Sequence, residues 1–406
     1  MDSDEQSAKP TEERSTRSKF NRRWVKITAG VVTAGVLLVL GVTAEAVTPS
    51  QGHKRPPPTP TSTSTSAPTP TSAPTPTSTS TSAPTPTSST SAIRVGIADP
   101  DLIGETAAVQ ASQLAGMKAI GITSIRLDAN WDWVQYGGQS SFDWTGLDQV
   151  VKSARAAGMS VDLIIDGSPP WAAQSGTTGN PPASAAQYAT WAADVAARYA
   201  PLGVGTFEIW NEENINWGPS ANAAAYTADL IAAYAAIKKA DPSAFVISGG
   251  LAPATTGSGM IAPVTFLQEM YADGAKGSFD AVGDHPYSNP ALPNTYESWS
   301  GWSQMAQTSP SIRSVMVSNG DSAKQVWITE VGAPSGGPDG VGQAAQATEM
   351  TQAIADAKTT SWIGAIYLYS WQDEGTSQST DEDWYGLVTA AGAQKLDYAA
   401  VAAALK

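Results

Sequence analysis

Two carboxylates stand directly after apolar, strand-like runs, where side chains could carry out chemistry. Glu212 follows the run in TFEIWNEEN, and Glu330 follows the run in VWITEVGAP, 118 positions later. If both runs are inner strands of one barrel, the two acids can face each other across a single cleft. Two facing carboxylates are the machinery that hydrolyses a glycosidic bond. The elements that would position such a pair must therefore be found in the remaining sequence.

From residue 93 onward, short apolar runs alternate with Ala-rich segments that have helical spacing. The runs are rich in Val and Ile, as expected for parallel strands that are buried on both faces. Eight such runs predict a (β/α)8 TIM barrel over residues 93–406. A doubly wound open sheet is the alternative, but no Gly-rich nucleotide fingerprint follows the first run. The runs are IRVGIADP, SIRLDANW, SVDLIIDGSPPW, TFEIWNEEN, FVISGGLAP, FDAVGDHPY, VWITEVGAP and IGAIYLYSW.

Polar or aromatic residues close most of these runs. Barrel active sites form at the C-terminal ends of the strands, so the residues at this position are the candidates for a site. They are Arg126 and Trp131 after the second run, Trp171 after the third, Asn211 and Glu212 after the fourth, His285 and Tyr287 after the sixth, Glu330 in the seventh and Trp371 after the eighth.

Physical chemistry predicts how the surroundings would affect the two acids. Arg126, on a neighbouring strand, could keep Glu330 ionised, and Tyr287 could donate to the same carboxylate. Burial against tryptophans, together with the negative charge of Glu330, would favour the protonated form of Glu212. Each residue also has a purely structural interpretation, in which Arg126 bridges carboxylates and His285 packs in the core.

In this combination the chain resembles the clan A glycoside hydrolases, and it is most similar to bacterial, cellulase-type members near families 5 and 39. The resemblance covers nearly all of residues 93–406. It rests on Asn211-Glu212 at strand four, His-Pro-Tyr at 285–287, Thr-Glu at 329–330 and Trp371. It implies a retaining mechanism with Glu212 as acid/base and Glu330 as nucleophile. It also implies that Asn211 binds the sugar 2-hydroxyl and that Trp371 forms the floor of the sugar site.

The sequence departs from the family pattern at Glu213, where relatives usually have Pro. Because adjacent strand residues face opposite ways, only one of the two neighbouring acids should enter the cleft. The Asn-Glu match favours Glu212. Glu208, within the same run, is expected in an internal ion pair.

Tryptophans are abundant, and their flat faces bind sugars at little entropic cost. Trp131, Trp171 and Trp217 are candidate sugar platforms. Core packing is the competing interpretation for each of them.

Composition narrows the choice of partners and cofactors. Residues 93–406 carry 14 basic and 31 acidic side chains, a net charge of −17, which disfavours nucleic acid and anionic lipid as partners. The chain has no Cys and only two His, His53 and His285, so thiolate chemistry and a multi-His zinc site are excluded. We expect no metal and no cofactor, a neutral poly- or oligosaccharide as substrate, and a monomer.

The N-terminal part does not read as a globular domain. Residues 1–26 form a basic region, 27–47 a transmembrane anchor or an export signal with a cleavage motif near Ala46, and 48–92 a Pro/Thr/Ser-rich linker. The catalytic domain should then lie at the extracellular face, with the N-terminus inside, or be secreted after cleavage.

The sequence therefore predicts a retaining β-glycoside hydrolase. A non-catalytic surface glycan-binding protein on the same scaffold is the alternative. Two opposed acids argue against it, since a binding module has no need of them.

Overall fold

The computed structural model describes residues 93–406, which contain a closed barrel of eight parallel strands. Each strand pairs with the next along the chain, and the first pairs with the last. The predicted TIM barrel is thus confirmed over the open sheet. The strands are β1 Arg94–Ala98, β2 Ser124–Asn130, β3 Ser160–Asp166, β4 Thr206–Asn211, β5 Phe245–Gly250, β6 Ala281–Asp284, β7 Gln325–Val331 and β8 Ile363–Tyr369.

Helices connect successive strands and cover the barrel. Short polar side chains cap several of them; Ser184 and Asn222, for example, accept hydrogen bonds from the backbone N–H groups of Gln187 and Ala225 in the helices that follow them. The α-helices are α1 Ala107–Ala119, α2 Trp131–Gln135, α3 Thr145–Ala156, α4 Ala185–Tyr199, α5 Ala223–Ala240, α6 Pro263–Ala272, α7 Gly301–Ala306, α8 Ile312–Ser318, α9 Gln343–Thr359 and α10 Leu396–Ala404.

The N-terminal predictions fall outside this domain. The segments expected at 1–26, 27–47 and 48–92 lie outside the described residues. Within 93–406, none of the helices has the length and apolar character needed to cross a membrane.

The backbone of β4 departs from regular strand geometry where it approaches the site. Trp210 and Glu212 both adopt left-handed backbone angles, with φ of 70° and 54°. The β4–β5 ladder pairs Ile209 with Ser248 and next Asn211 with Gly250. The Trp210 ring packs against Tyr188 on α4 at 5.9 Å and against Trp217 at 5.0 Å, so it lies on the outward, helix-facing side of β4. Such backbone costs of order 1–3 kcal/mol per residue and marks functional positions.

An aromatic stack fixes the helices that follow β2 and β3. The ring of Trp191 on α4 lies between those of Trp131 and Trp144, at centroid distances of 6.1 and 5.2 Å with nearly parallel planes. Trp191 is almost fully buried. The stack therefore anchors α2, α3 and α4 to one another on the outside of the barrel.

Replacing Trp191 by Ala should lower the free energy of unfolding by about 3–5 kcal/mol, because it removes the central ring of the stack. Urea denaturation measures this. Trp299→Ala, at a position that is 46% exposed, is the control and should change stability by no more than about 0.5 kcal/mol. Equal losses in the two variants would contradict the structural role of the stack.

Candidate active site

A buried arginine joins two carboxylates at the C-terminal end of the barrel. Arg126 at the middle of β2 donates from Nε to Glu208 Oε2 at 2.6 Å and from Nη2 to Glu208 Oε1 at 3.0 Å. Its Nη1 donates to Glu330 Oε1 at 2.6 Å. Burial alone would lower the pKa of Arg126, but the charges of Glu208 and Glu330 outweigh it and raise that pKa well above its ordinary value. The guanidinium is therefore permanently charged.

Glu330 accepts a hydrogen bond on each carboxylate oxygen. Oε1 accepts from Arg126, and Oε2 accepts from the Tyr287 hydroxyl at 2.9 Å. Burial, and next the negative charge of Glu330, raise the pKa of Tyr287 well above its usual value, so the hydroxyl keeps its proton. The predicted contacts of Arg126 and Tyr287 with Glu330 are thus confirmed. They favour an ionised, oriented carboxylate.

Glu212 faces Glu330 across a short gap. Carboxylate oxygens of the two residues lie within 4.8 Å of each other. Glu212 Oε1 lies 3.1 Å from His285 Nδ1, and its Oε2 accepts from Asn216 Nδ2 at 3.2 Å. The positive φ of Glu212 turns its side chain into the cleft although the preceding Asn211 also points inward.

Asn211 and His285 complete the contacts around the two acids. Asn211 Oδ1 accepts from Arg126 Nη2 at 2.7 Å, which leaves its amide nitrogen directed elsewhere. His285 is fully buried, and its Nε2 lies 3.1 Å from Thr329 Oγ1. A Cβ on Gly250 would approach His285 Nε2 to 2.1 Å, so only glycine leaves room for the imidazole.

Glu213 does not enter the cleft. Its carboxyl is fully buried behind β4, where a Cβ on Gly249 would approach Oε2 to 2.0 Å. Burial raises the pKa of Glu213 to about 8, so the group is neutral near neutral pH. The prediction that Glu212 is the inward-facing acid agrees with this placement, and Glu208 lies in the internal ion pair as expected.

The three residues Glu212, His285 and Glu330 also bring together atoms of the kind that bind metal ions. The guanidinium of Arg126 lies 2.6 Å from Glu330, and its positive charge opposes a cation at this point. The donor set therefore fits a proton-transfer site better than a metal centre.

The structure corrects two of the predicted tryptophan platforms. Trp131 is 1% exposed and lies in the stack on Trp191, because the chain turns into helix α2 as soon as β2 ends. Trp217 is 3% exposed, with its ring against Trp210 and Tyr226. Both residues belong to the core. Trp171 is only partly buried, donates from Nε1 to the Gln135 carbonyl at 2.8 Å, and stays a predicted platform.

Trp371 is also misplaced by the sequence prediction. Its ring points away from the two acids and packs on α1 and α10, near Gly116 and at 5.9 Å from the Tyr398 ring. Tyr369 instead belongs to the cluster inside the barrel. Its ring contacts that of Tyr385 at 5.2 Å, and Tyr385 contacts Tyr287 at 6.1 Å. These tyrosines line the side of the site where Trp371 was expected.

The sequence analysis gave Thr329 no role of its own and missed Asn216. Strand alternation places Thr329 and Glu330 on opposite faces, but a register shift between Ile328 and Val331 in β7 brings both toward the site. Asn216 lies one turn after Glu212, and its backbone N–H donates to the Glu212 carbonyl at 2.8 Å. That local turn, with an amide four residues after the acid, was the available signal.

A parallel barrel whose fourth and seventh strands end in facing glutamates defines the class of clan A glycoside hydrolases. Residues 89–374 match the family model described as Cellulase (glycosyl hydrolase family 5), which is well over half of the chain. The protein therefore belongs to this family. No curated protein matches the chain.

Solved structures share the fold at low identity. A family 39 glycoside hydrolase from Bacteroides cellulosilyticus WH2 is 20% identical with a TM-score of 0.60, over 77% of this chain and 63% of that one. A GH5_18 enzyme from Streptomyces cattleya, solved with GlcNAc, is 15% identical with a TM-score of 0.59, over 77% and 80%. A monomeric beta-xylosidase from Caulobacter crescentus CB15 is 17% identical with a TM-score of 0.53, over 76% and 67%. The chain thus spans less than two thirds of the family 39 structure.

The neutral state of Glu213 predicts a pH-dependent gain from Glu213→Gln. The folded protein keeps this proton up to about pH 8, whereas the unfolded chain loses it near the ordinary value of 4.5. The folded state therefore binds more protons between these values, and wild-type stability falls as pH rises through that window. Glutamine does not titrate, so the stability of the Glu213→Gln variant does not fall for this reason. Its free energy of unfolding should therefore rise relative to that of the wild type from pH 5 to pH 8.

Urea denaturation at both pH values tests this expectation. The exposed Glu269→Gln variant on α6 is the matched control for loss of a carboxyl. A stability difference between Glu213→Gln and wild type that stays constant with pH would show that the Glu213 carboxyl is not held neutral.

Proposed function

We propose that the protein is a retaining β-glycoside hydrolase, with Glu330 as nucleophile and Glu212 as acid/base. The separation of at most 4.8 Å between their carboxylate oxygens carries this proposal. Retaining enzymes hold the two carboxyl groups about 5–5.5 Å apart, whereas inverting enzymes need roughly 6.5–9.5 Å to admit a water. This close approach of the oxygens supports the retaining arrangement.

In the first step Glu330 attacks the anomeric carbon while Glu212 protonates the departing glycosidic oxygen. The bond from the anomeric carbon to that oxygen breaks, and an ester to Glu330 forms. The amide nitrogen of Asn211 faces away from Arg126 and can donate to a sugar hydroxyl. The resemblance to the family assigns this hydroxyl to the sugar C2 position.

In the second step Glu212, now a carboxylate, takes a proton from water, which attacks the anomeric carbon and releases Glu330. The charge of Glu330 is absent while the ester exists. Arg126 keeps a counter-ion throughout, because Glu208 accepts two of its hydrogen bonds. The buried guanidinium is therefore never left unpaired.

The substrate class follows from the charge and the aromatic side chains of the domain. With a net charge of −17 over residues 93–406, a neutral poly- or oligosaccharide is favoured over an acidic one. The partly exposed Trp171 is a candidate platform for a sugar ring. The apolar segment 27–47 and the Pro/Thr/Ser linker support action at the outer cell surface, either tethered or released near Ala46.

Substitution of the two acids tests the mechanism on a β-glycan panel. Glu330→Ala should lower kcat by about 10⁴-fold or more, because the nucleophile is lost. Glu212→Gln should lower it by about 10²–10⁴-fold for substrates that need leaving-group protonation. Glu213→Gln, next in sequence but outside the cleft, is the control and should retain activity. Full hydrolysis by either of the first two variants would contradict the assignment of Glu330 as nucleophile and Glu212 as acid/base.

A mechanism-based 2-fluoro glycoside separates this function from glycan binding without turnover. Covalent labelling at Glu330, located by peptide mass spectrometry, is the expected result for the enzyme. Reversible binding of the same sugar without any labelling would favour the non-catalytic alternative.

A further inference from the structure

A continuous series of hydrogen bonds links the buried ion pair to Glu212. Glu208 Oε1 lies 3.0 Å from Thr329 Oγ1, which lies 3.1 Å from His285 Nε2. On the other side of the ring, His285 Nδ1 lies 3.1 Å from Glu212 Oε1. Glu208, Thr329, His285 and Glu212 are all buried, so these contacts are not exchanged for water.

The direction of each hydrogen bond follows from the charge at the Glu208 end. Glu208 pairs with Arg126 and also accepts from the Gly250 N–H at 2.9 Å, so it is an ionised carboxylate that can only accept. The Thr329 hydroxyl must therefore donate its single proton to Glu208. Its oxygen is left to accept, and the group that faces it is His285 Nε2.

We propose that Glu208 and Thr329 are positioning residues that keep the proton of neutral His285 on Nε2. Nδ1 then presents a lone pair to Glu212, which can fill that contact only by donating its own proton. The series of bonds thereby holds Glu212 in the acid form that the first step requires. This inference rests on the proposed role of Glu212 as acid/base.

Other charges around the imidazole act in the same direction or are already compensated. Glu330 Oε2 lies 3.8 Å from Nδ1, and its negative charge disfavours a second carboxylate at Glu212. The hydrogen bonds of Arg126 go to Glu208, Glu330 and Asn211. Among the further titratable groups near Glu212 and His285, burial raises the pKa values of Tyr287, Glu213 and Asp284, which favours their neutral forms.

The same geometry serves the second step. In the first step the Glu212 O–H breaks its hydrogen bond to Nδ1 and turns to the glycosidic oxygen, which takes the proton. The carboxylate that remains faces the bare lone pair of Nδ1 at 3.1 Å. Two acceptors opposed in a buried site repel each other, so Glu212 readily takes a proton from the attacking water. With the proton taken from water, Glu212 again donates a hydrogen bond to His285 Nδ1. His285 itself gains and loses no proton in the cycle.

The tautomer of His285 is directly measurable, because the chain has only one other histidine. The full-length His53→Gln variant, labelled with ¹⁵N-histidine, contains a single imidazole. We expect the NMR signature of a neutral ring with protonated Nε2 and unprotonated Nδ1 at the pH of maximal activity. Protonation at Nδ1, alone or together with Nε2, would overturn the proposal.

Thr329→Val removes the hydroxyl at nearly constant volume, and Thr329→Ser keeps it. In the valine variant we expect the imidazole proton to move to Nδ1 and the basic limb of the kcat/KM pH profile to fall by about one pH unit, the worth of one hydrogen bond. The serine variant should restore both readouts. A uniform loss of rate in the valine variant, with an unshifted profile and tautomer, would mean a merely structural role.

These measurements separate the inference from the proposed function. If His285 shows the expected tautomer but the protein hydrolyses no glycan, the positioning roles of Glu208 and Thr329 stand and the proposed function is wrong. If the protein hydrolyses glycans but His285 carries its proton on Nδ1, the proposed function stands and the positioning roles are wrong.

Discussion

The site depends on one buried cation shared by two carboxylates. Arg126 is 2% exposed and bonds both Glu208 and Glu330 at 2.6 Å. Removing one partner from a buried pair typically costs about 3–5 kcal/mol, because an uncompensated charge stays behind. A nucleophile that loses its charge during turnover would impose that cost on Arg126 if Glu330 were its only partner. Because Glu208 also pairs with Arg126, the guanidinium keeps a counter-ion when Glu330 loses its charge in the proposed reaction.

Irregular backbone makes this arrangement possible. A regular strand would alternate faces and could not direct Glu208, Asn211 and Glu212 toward the same cleft. The left-handed residues Trp210 and Glu212 break the alternation, and the outward aromatic packing of Trp210 stabilises the distortion. In β7 a register shift does the same for Thr329 and Glu330. Both active-site strands are therefore distorted at the positions where chemistry is proposed.

The features that were predicted correctly from the sequence are those that depend on hydrophobic periodicity and on charge. All eight strands, the facing acids and the pairing of Glu208 follow from buried apolar runs and from the need of a buried Arg126 for partners. Side-chain direction beyond a strand end does not follow from such patterns. Trp131 enters a helix at once, and Trp371 turns to the outside while Tyr369 turns inward. The sequence pattern does not predict these side-chain directions, because they depend on β-bulges and on loops that pack against distant parts of the chain.

The distribution of protons explains how so many acids fit one buried site. If Glu212 and Glu213 were ionised together with Glu208 and Glu330, four negative charges would surround the single charge of Arg126, which a low-dielectric interior does not tolerate. In the proposed starting state Glu213 is neutral through burial and Glu212 carries its proton, so Arg126, Glu208 and Glu330 leave a net charge of −1. In the proposed first step Glu330 loses its charge to the ester as Glu212 becomes a carboxylate. The net charge of the site stays at −1, so the reaction moves a charge within the cleft without creating one.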